Sequence, residues 1–144
     1  MFNATQVTVS GFAGADAQTF EARDGAPDMT LVSVGVTARR FNRENREWES
    51  DTTMWYQVRS YGSLARNVAA TIKKGMPVLV RGRFTRREWT DDEGNAKQSD
   101  VIIADALGIE LATGTATFTK NGEIQAEEQP APLPDYPNEW DEQY

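Results

Sequence analysis

The chain contains neither cysteine nor histidine. Without thiols there is no disulfide, no iron–sulfur cluster and no cysteine nucleophile, a composition that fits a reducing compartment. Without imidazole or thiolate, zinc sites of the usual kind are excluded. So is every catalytic scheme that uses His as a base or as the partner of a nucleophile. Carboxylates, lysines, tyrosines and hydroxyls remain, and no paired-carboxylate motif organises them. The expectation is a protein that is not an enzyme and holds no metal or cofactor.

Long apolar runs are missing too. No stretch approaches the ~20 residues that span a bilayer. The first residues, Met1 to Gln6, show no basic region leading into an apolar one. A soluble, cytoplasmic protein without membrane contact is expected. Proline is scarce until the end, where Pro130, Pro132, Pro134 and Pro137 crowd together.

The net charge of −7 is unevenly spread. Residues 1–115 hold 14 of the 15 cations and 15 of the 22 acids, a balance of −1, whereas residues 116–144 carry −6. The body is nearly neutral with its basic residues clustered. The terminal stretch is acidic and rich in Glu, Pro and Gln, which predicts a disordered tail.

Hydrophobic periodicity predicts strands. Val7 and Val9 alternate with polar residues in the first, with Gly11 and Gly14 marking bends. A second runs from about Met29 to Phe41, with Val32, Val34, Val36 and Ala38 on one face and Thr37, Arg39 and Phe41 on the other. Asn42–Thr52, a polar arm containing Trp48, follows and reads as a long hairpin loop. The third strand, Thr53–Tyr61, places Met54, Tyr56, Val58 and Ser60 on one face and Trp55, Gln57, Arg59 and Tyr61 on the other. Aromatics on both faces leave its inward side open.

One helix is predicted, Ser63–Lys74, with Leu64, Val68 and Ile72 on a stripe. Ser63 is the expected N-cap and Gly75 the left-handed C-terminal cap. The fourth strand, Pro77–Trp89, sets Val78, Val80, Gly82 and Phe84 opposite Leu79, Arg81, Arg83, Thr85, Arg87 and Trp89. The fifth, about Ser99–Leu111, shows Val101, Ile103, Leu107, Ile109 and Leu111 at odd positions. Three strands, a helix and two strands suit an all-β fold: a five-stranded OB-fold barrel with one helix between strands three and four. The division expected is a barrel domain over residues 1–115 and a flexible acidic tail over 116–144.

Arg81, Arg83 and Arg87 ending at Trp89 form the strongest local feature. Alone, such a row reads as well as an edge-protecting set of charges. Trp55, Arg59 and Tyr61 repeat the mixture on the third strand, and Arg39 and Phe41 on the second. A core explains aromatics but not interleaved arginines. Bases stacking on rings while arginines follow phosphates explains both, and points to nucleic acid. Lys73 and Lys74 fit either phosphate contacts or the helix C-terminus. Trp48 has two readings, a stacking ring or an anchor for its arm. Asp91, Asp92 and Glu93 read as a charged turn rather than a metal site.

The runs Thr53-Met54-Trp55-Tyr56-Gln57-Val58-Arg59-Ser60-Tyr61-Gly62-Ser63-Leu64-Ala65 and Ile72-Lys73-Lys74-Gly75-Met76-Pro77-Val78-Leu79-Val80-Arg81-Gly82-Arg83-Phe84, continuing to Trp89-Thr90-Asp91 and Gly94, resemble the bacterial single-stranded DNA-binding protein family over about residues 5–112. The resemblance implies sequence-independent binding of single-stranded DNA in replication, recombination and repair, without cofactor, in the nucleoid. Trp55, Tyr61 and Trp89 resemble the family's base-stacking aromatics. Phe41 stands where the family often has Trp, and Tyr61 where Phe is common. Arg83, Thr85 and Arg87 lie on its binding strand, and Glu88 stands where a basic residue is common. With Arg39, Arg59, Arg81 and Lys74 these make up the expected nucleic-acid-binding set. A homotetramer is implied by the resemblance alone.

Many members end in an acidic tip closing in Pro-Phe that recruits replication and repair proteins. This chain ends Asp135-Tyr136-Pro137-Asn138-Glu139-Trp140-Asp141-Glu142-Gln143-Tyr144, acidic and aromatic but not that tip, with Trp140 and Tyr144 as its candidate docking residues. Two other binding classes stay open from the sequence: an OB-fold adaptor for proteins, and an RNA binder of the cold-shock type.

Overall fold

The structure, a computed structural model, describes residues 3–21 and 28–122. In chain order the elements are β1 (Thr5–Ala13), β2 (Gln18–Phe20), β3 (Met29–Val36), β4 (Arg39–Asn42), β5 (Glu47–Ser50), β6 (Met54–Tyr61), α1 (Gly62–Thr71), β7 (Pro77–Thr90) and β8 (Ala96–Ile109). The five long strands run β1-β7-β8-β6-β3, and β1 pairs with β3 at Phe12 and Ala13 to close the ring. The closure passes through Gly11, where any side chain would collide with the carbonyl oxygen of Gly35. The short β2 pairs with β3, and β4 and β5 form a separate two-stranded hairpin. This is the OB barrel expected from the sequence, with its helix between the third and fourth long strands.

Alternation places the core. Val32 and Val34, Val58, Val78 and Val80, and Ile102 point inward from β3, β6, β7 and β8, and α1 closes one end with Val68, followed by Ile72. The buried Thr30 hydroxyl donates to the Ala65 carbonyl at 2.7 Å and ties β3 to the helix. Near the other end Tyr56 meets Phe84 edge to face, with centroids 6.4 Å apart. Beside them, Arg86 Nε donates to Asp100 Oδ1 at 2.9 Å. The hydrogen bond and charge of Asp100 raise the Arg86 pKa further above its ordinary value, so it is a fixed cation.

The inward side of β6, open from the sequence, is the Val58–Ser60 side: these are 1% exposed, while Trp55 on the other face is 58% exposed. The expected strand from Met29 to Phe41 breaks after Val36, and its last residues join the arm as a hairpin. The odd-position pattern read on the fifth strand is half right. Phe84 faces Ile102 and Gly82 faces Ala104, but Val80 faces Leu107 and Val78 faces Ile109, because a bulge at Asp105 shifts the register. An extra residue exchanges the two faces of a strand, so the positions that meet the inward side of β7 are even before Asp105 and odd after it, while Val101 on the other face is also buried, at 4% exposure.

The helix differs at both ends. Its N-cap is Tyr61 with no side-chain capping bond, and the reversal out of β6 runs through Gly62 at φ +66°. Ser63 instead accepts a hydrogen bond from Arg66. At the far end Ile72 is extended and 1% exposed. Burying that side chain pulls the backbone out of the helix. Lys73 and Lys74 therefore lie outside the last turn, and Gly75, at φ +89°, sits in the turn beyond. Residues 116–122 are exposed and carry no strand or helix. The rest of the expected tail, with Trp140 and Tyr144, lies outside the described residues.

Candidate nucleic-acid interface

The outer face of β7 carries Arg81, Arg83, Thr85, Arg87 and Trp89, all exposed. Ladder register extends it across the barrel. Arg83 stands opposite Ile103, and Ile103 opposite Arg59 of β6. In the next row Thr85 faces Val101, which faces Gln57. One step further on the same faces come Arg87, Ser99 and Trp55. Tyr61, 41% exposed, sits at the opposite end of β6. From Tyr61 to Trp55 the face covers roughly 20 Å along the strand.

Trp55 is held by the backbone beneath it. A methyl group on Gly14 would stand 2.6 Å from Trp55 Cζ3 and 2.9 Å from Cη2, and one on Gly35 would stand 3.0 and 3.1 Å from the same atoms. The indole lies on a floor that only two bare backbones leave open. The floor is itself fixed, since Gly14 N–H donates to the Ser33 carbonyl at 2.8 Å. Next to it, Gly75 N–H donates to the Ala13 carbonyl and Lys74 N–H to Asp16 Oδ1. Lys74 thus reaches this neighbourhood from a turn rather than from a strand face. At the other corner the Arg87 guanidinium lies 5.7 Å from the centroid of the Trp89 ring, within cation–π range.

The arginines differ in what already occupies them. Arg81 is bonded to the bulge residue Asp105 at 2.8 Å. Arg39, Arg59, Arg83 and Arg87 form no ion pair with any described acid. Arg39, Arg83 and Arg87 can exchange water for a phosphate oxygen without breaking an existing bond; Arg59, whose Nε is buried without a hydrogen-bond partner, also has no bond to break, whereas Arg81 does. Phe41 and Arg39 are set apart on the β4–β5 hairpin, which shares no ladder with the barrel. Register therefore unites Arg59, Arg83, Arg87 and Trp55 on one sheet face, joins Trp89 and Arg81 along β7, and leaves Phe41, Arg39 and Lys74 on neighbouring elements. Sequence reasoning missed the glycine floor. Its signal was present in Gly35, inside β3, and in Gly14, just past the end of β1.

An OB barrel with one open face of exposed rings and unpaired guanidiniums is a nucleic-acid-binding architecture. The chain belongs to the single-strand binding protein family, whose model matches residues 4–110. It is 32% identical over 114 residues to "Single-stranded DNA-binding protein 2" of Tropheryma whipplei (strain Twist), covering 79% of this chain and 74% of that one. It is 38% identical over 98 residues to "Single-stranded DNA-binding protein 1" of Streptomyces coelicolor, covering 67% and 62% of the two. Among solved structures, the small single-stranded DNA-binding protein from Streptomyces coelicolor superposes with a TM-score of 0.70 at 27% identity, covering 78% of this chain and all of that one.

Proposed function

We propose that this chain binds single-stranded DNA without sequence preference and shields it during replication, recombination and repair. Bases stack on Trp55, Trp89, Tyr61 and Phe41, and phosphates run along Arg39, Arg59, Arg83 and Arg87, with weaker help from Arg81 and Lys74. The observation that carries the reading is the row Arg83–Ile103–Arg59 leading to Trp55 on its glycine floor. Every base offers a π face, so rings spaced along a cationic track hold a strand regardless of sequence. Duplex DNA hides those faces in its stack. The role needs no catalysis and no cofactor, and it places the protein in the nucleoid of the cytoplasm.

Residues 1–115 act as the binding domain and 116–144 as an acidic appendage that meets replication or repair proteins through Trp140 and Tyr144. The assembly is a homotetramer. Supporting self-association, β1 pairs with β3 only at Phe12 and Ala13, so the second edge of Thr5–Gly11 has no strand partner among the described residues. Phe12 and Leu79 also lie 59% and 47% exposed on the outer face nearby.

A tryptophan-quenching titration with oligo-dT over a range of salt tests the function. Quenching should saturate, and affinity should fall as salt rises, by a slope of about −0.7 per phosphate contact in a log–log plot. Equal or tighter binding of duplex DNA, or preference for oligo-U, overturns it.

A further inference from the structure

The β7–β8 ladder outruns the barrel. The ladder between β1 and β7 ends at Thr5 opposite Phe84, and the ladder between β6 and β8 begins at Tyr56 opposite Asp100. Among the described residues, Arg87–Thr90 and Ala96–Ser99 therefore pair only with each other, a ribbon open to water on both sides. Alternation splits its side chains. Arg87, Trp89, Lys97 and Ser99 continue the outer face of the barrel, and Glu88, Thr90, Ala96 and Gln98 take the reverse. Resting on the single-stranded DNA reading above, we propose that Glu88 is a specificity-determining residue that confines the strand to one face of this ribbon and so limits how many nucleotides a protomer covers.

The two faces differ in what they offer a phosphate. On the outer face the Arg87 guanidinium lies 5.7 Å from the Trp89 ring centroid, and Lys97 stands opposite Trp89. Lys97 is held only by Asp91, whose Oδ2 is 4.0 Å from Nζ, the longest ion pair among the described residues. On the reverse face the one cation is Arg86, at the base of the ribbon, and its Nε already donates to Asp100 Oδ1 at 2.9 Å. The hydrogen bond and charge of Asp100 raise the Arg86 pKa most, and the charge of Glu88 adds to them. Glu88 itself forms no ion pair with a described cation. With Arg86 answered by Asp100, the reverse face shows a net negative charge.

A guard has work to do there because nothing else bars the way. Past Phe84 the edge of β7 has no strand beside it among the described residues. A flexible strand stacked on Trp89 meets no backbone wall at that edge. Folding round it would bring the next phosphates over Glu88, where like charges repel. Without that charge, the Thr90 hydroxyl and the Gln98 amide would offer phosphates ordinary hydrogen bonds. The tip repeats the pattern: Asp91 Oδ1 accepts from Glu93 N–H and Asn95 N–H, and the turn it closes leaves Asp92 and Glu93 exposed. The strand thus meets cations on one face and acids at the edge and the tip.

The chain has no cysteine, so one introduced thiol reports one place. In the full-length protein, Thr85→Cys puts it on the outer face and Gln98→Cys on the reverse; should Gln98→Cys fold poorly in a thermal melt, Thr90→Cys samples the same face. Each is alkylated by a neutral maleimide with and without saturating oligo-dT of about 16 nucleotides. Oligo-dT should slow the reaction of Thr85→Cys severalfold and leave that of Gln98→Cys unchanged. Adding Glu88→Lys to Gln98→Cys should bring protection to the reverse face and steepen the salt slope by roughly 0.7, one more phosphate contact. Glu88→Gln alone should tighten low-salt binding about threefold, the order of one like-charge pair in water. Glu110→Gln removes the same charge just past the other end of β8 and should leave affinity unchanged.

Protection of Gln98→Cys while Glu88 is present, no added protection with Glu88→Lys, or equal gains from Glu88→Gln and Glu110→Gln overturns the guard and leaves the proposed function standing. Oligo-dT that binds yet protects neither thiol also overturns it, because the strand then does not run along the ribbon. Failure of the wild type to bind oligo-dT sinks the proposed function itself, and the guard with it.

Discussion

The indole of Trp55 fills the space that a side chain on Gly14 would need: a methyl group there would sit 2.6 Å from Cζ3. That distance is below any normal carbon contact, and the atom that must yield is the far end of a side chain. Gly14 is not in the left-handed region, so alanine brings no backbone strain. Gly14→Ala should therefore lift Trp55 off its floor while the barrel stays folded. Affinity for oligo-dT should drop, by up to the ~1–3 kcal/mol that one base stack is worth. Titration beside a thermal melt checks this, and unchanged affinity would show that Trp55 does not need its floor.

Gly82 makes the opposite case. A side chain there would meet the Ile103 carbonyl oxygen and stand 2.8 Å from the Ala104 Cα, both backbone of the paired strand at the bulge. No rotation relieves such a clash. Gly82→Ala should cost stability of about 1–3 kcal/mol, as for other overpacked cores, read as a lower urea midpoint. The folded fraction should still bind DNA, since position 82 faces inward.

Trp55→Ala and Trp89→Ala should each weaken binding by ~1–3 kcal/mol. Both rings lie on the outer face, 58% and 44% exposed, so circular dichroism should match wild type. An unfolded variant would put that ring in the core and undo the face assignment.

The outer face of β7 was readable because strict alternation leaves one assignment: Val78, Val80, Gly82 and Phe84 can only face in if the arginines face out. The start of β6 gave no such answer, since Met54–Trp55–Tyr56 puts a large side chain on every position. What settles it is Val32 and Val34 of β3 lying opposite Val58 and Tyr56, a long-range pairing that no local pattern contains. The bulge at Asp105 was hidden for a similar reason: it shows only against the register of β7. The helix end was misread because Lys73, Lys74 and Gly75 form a plausible terminus, while the burial of Ile72 decides the matter earlier in the chain. The hairpin reading of the polar arm holds, but the strand pairing reaches back to Arg39, and the place of Trp48 opposite Phe41 shows only once the strands are paired.

The same bulge separates the arginines by their prior engagement. Arg83→Ala removes a free guanidinium and should lower the salt slope of oligo-dT binding by roughly 0.7, whereas Arg81→Ala should change it less because Asp105 already neutralises that cation. Asp105→Asn should release Arg81 and tighten binding at low salt. Equal slopes for the two alanine variants would mean that Asp105 gives way to phosphate without cost.

The remaining acids lie outside the described residues. Residues 123–144 hold seven carboxylates and no cation. They are tethered to a barrel whose Arg59, Arg83 and Arg87 have no acid partner among the described residues. A tethered anion competes at a high effective concentration with any free one, and DNA phosphate is the free one here. Deleting 123–144 should therefore tighten binding of a labelled oligo-dT at low salt. The gain should shrink as salt rises, because ions screen the tail and the phosphates alike. Fluorescence anisotropy of the labelled strand avoids the loss of Trp140 from the protein signal. If the shortened chain binds equally or less tightly at low salt, competition is excluded. The acidic segment would then act through Trp140 and Tyr144 on a partner protein instead of on its own binding face.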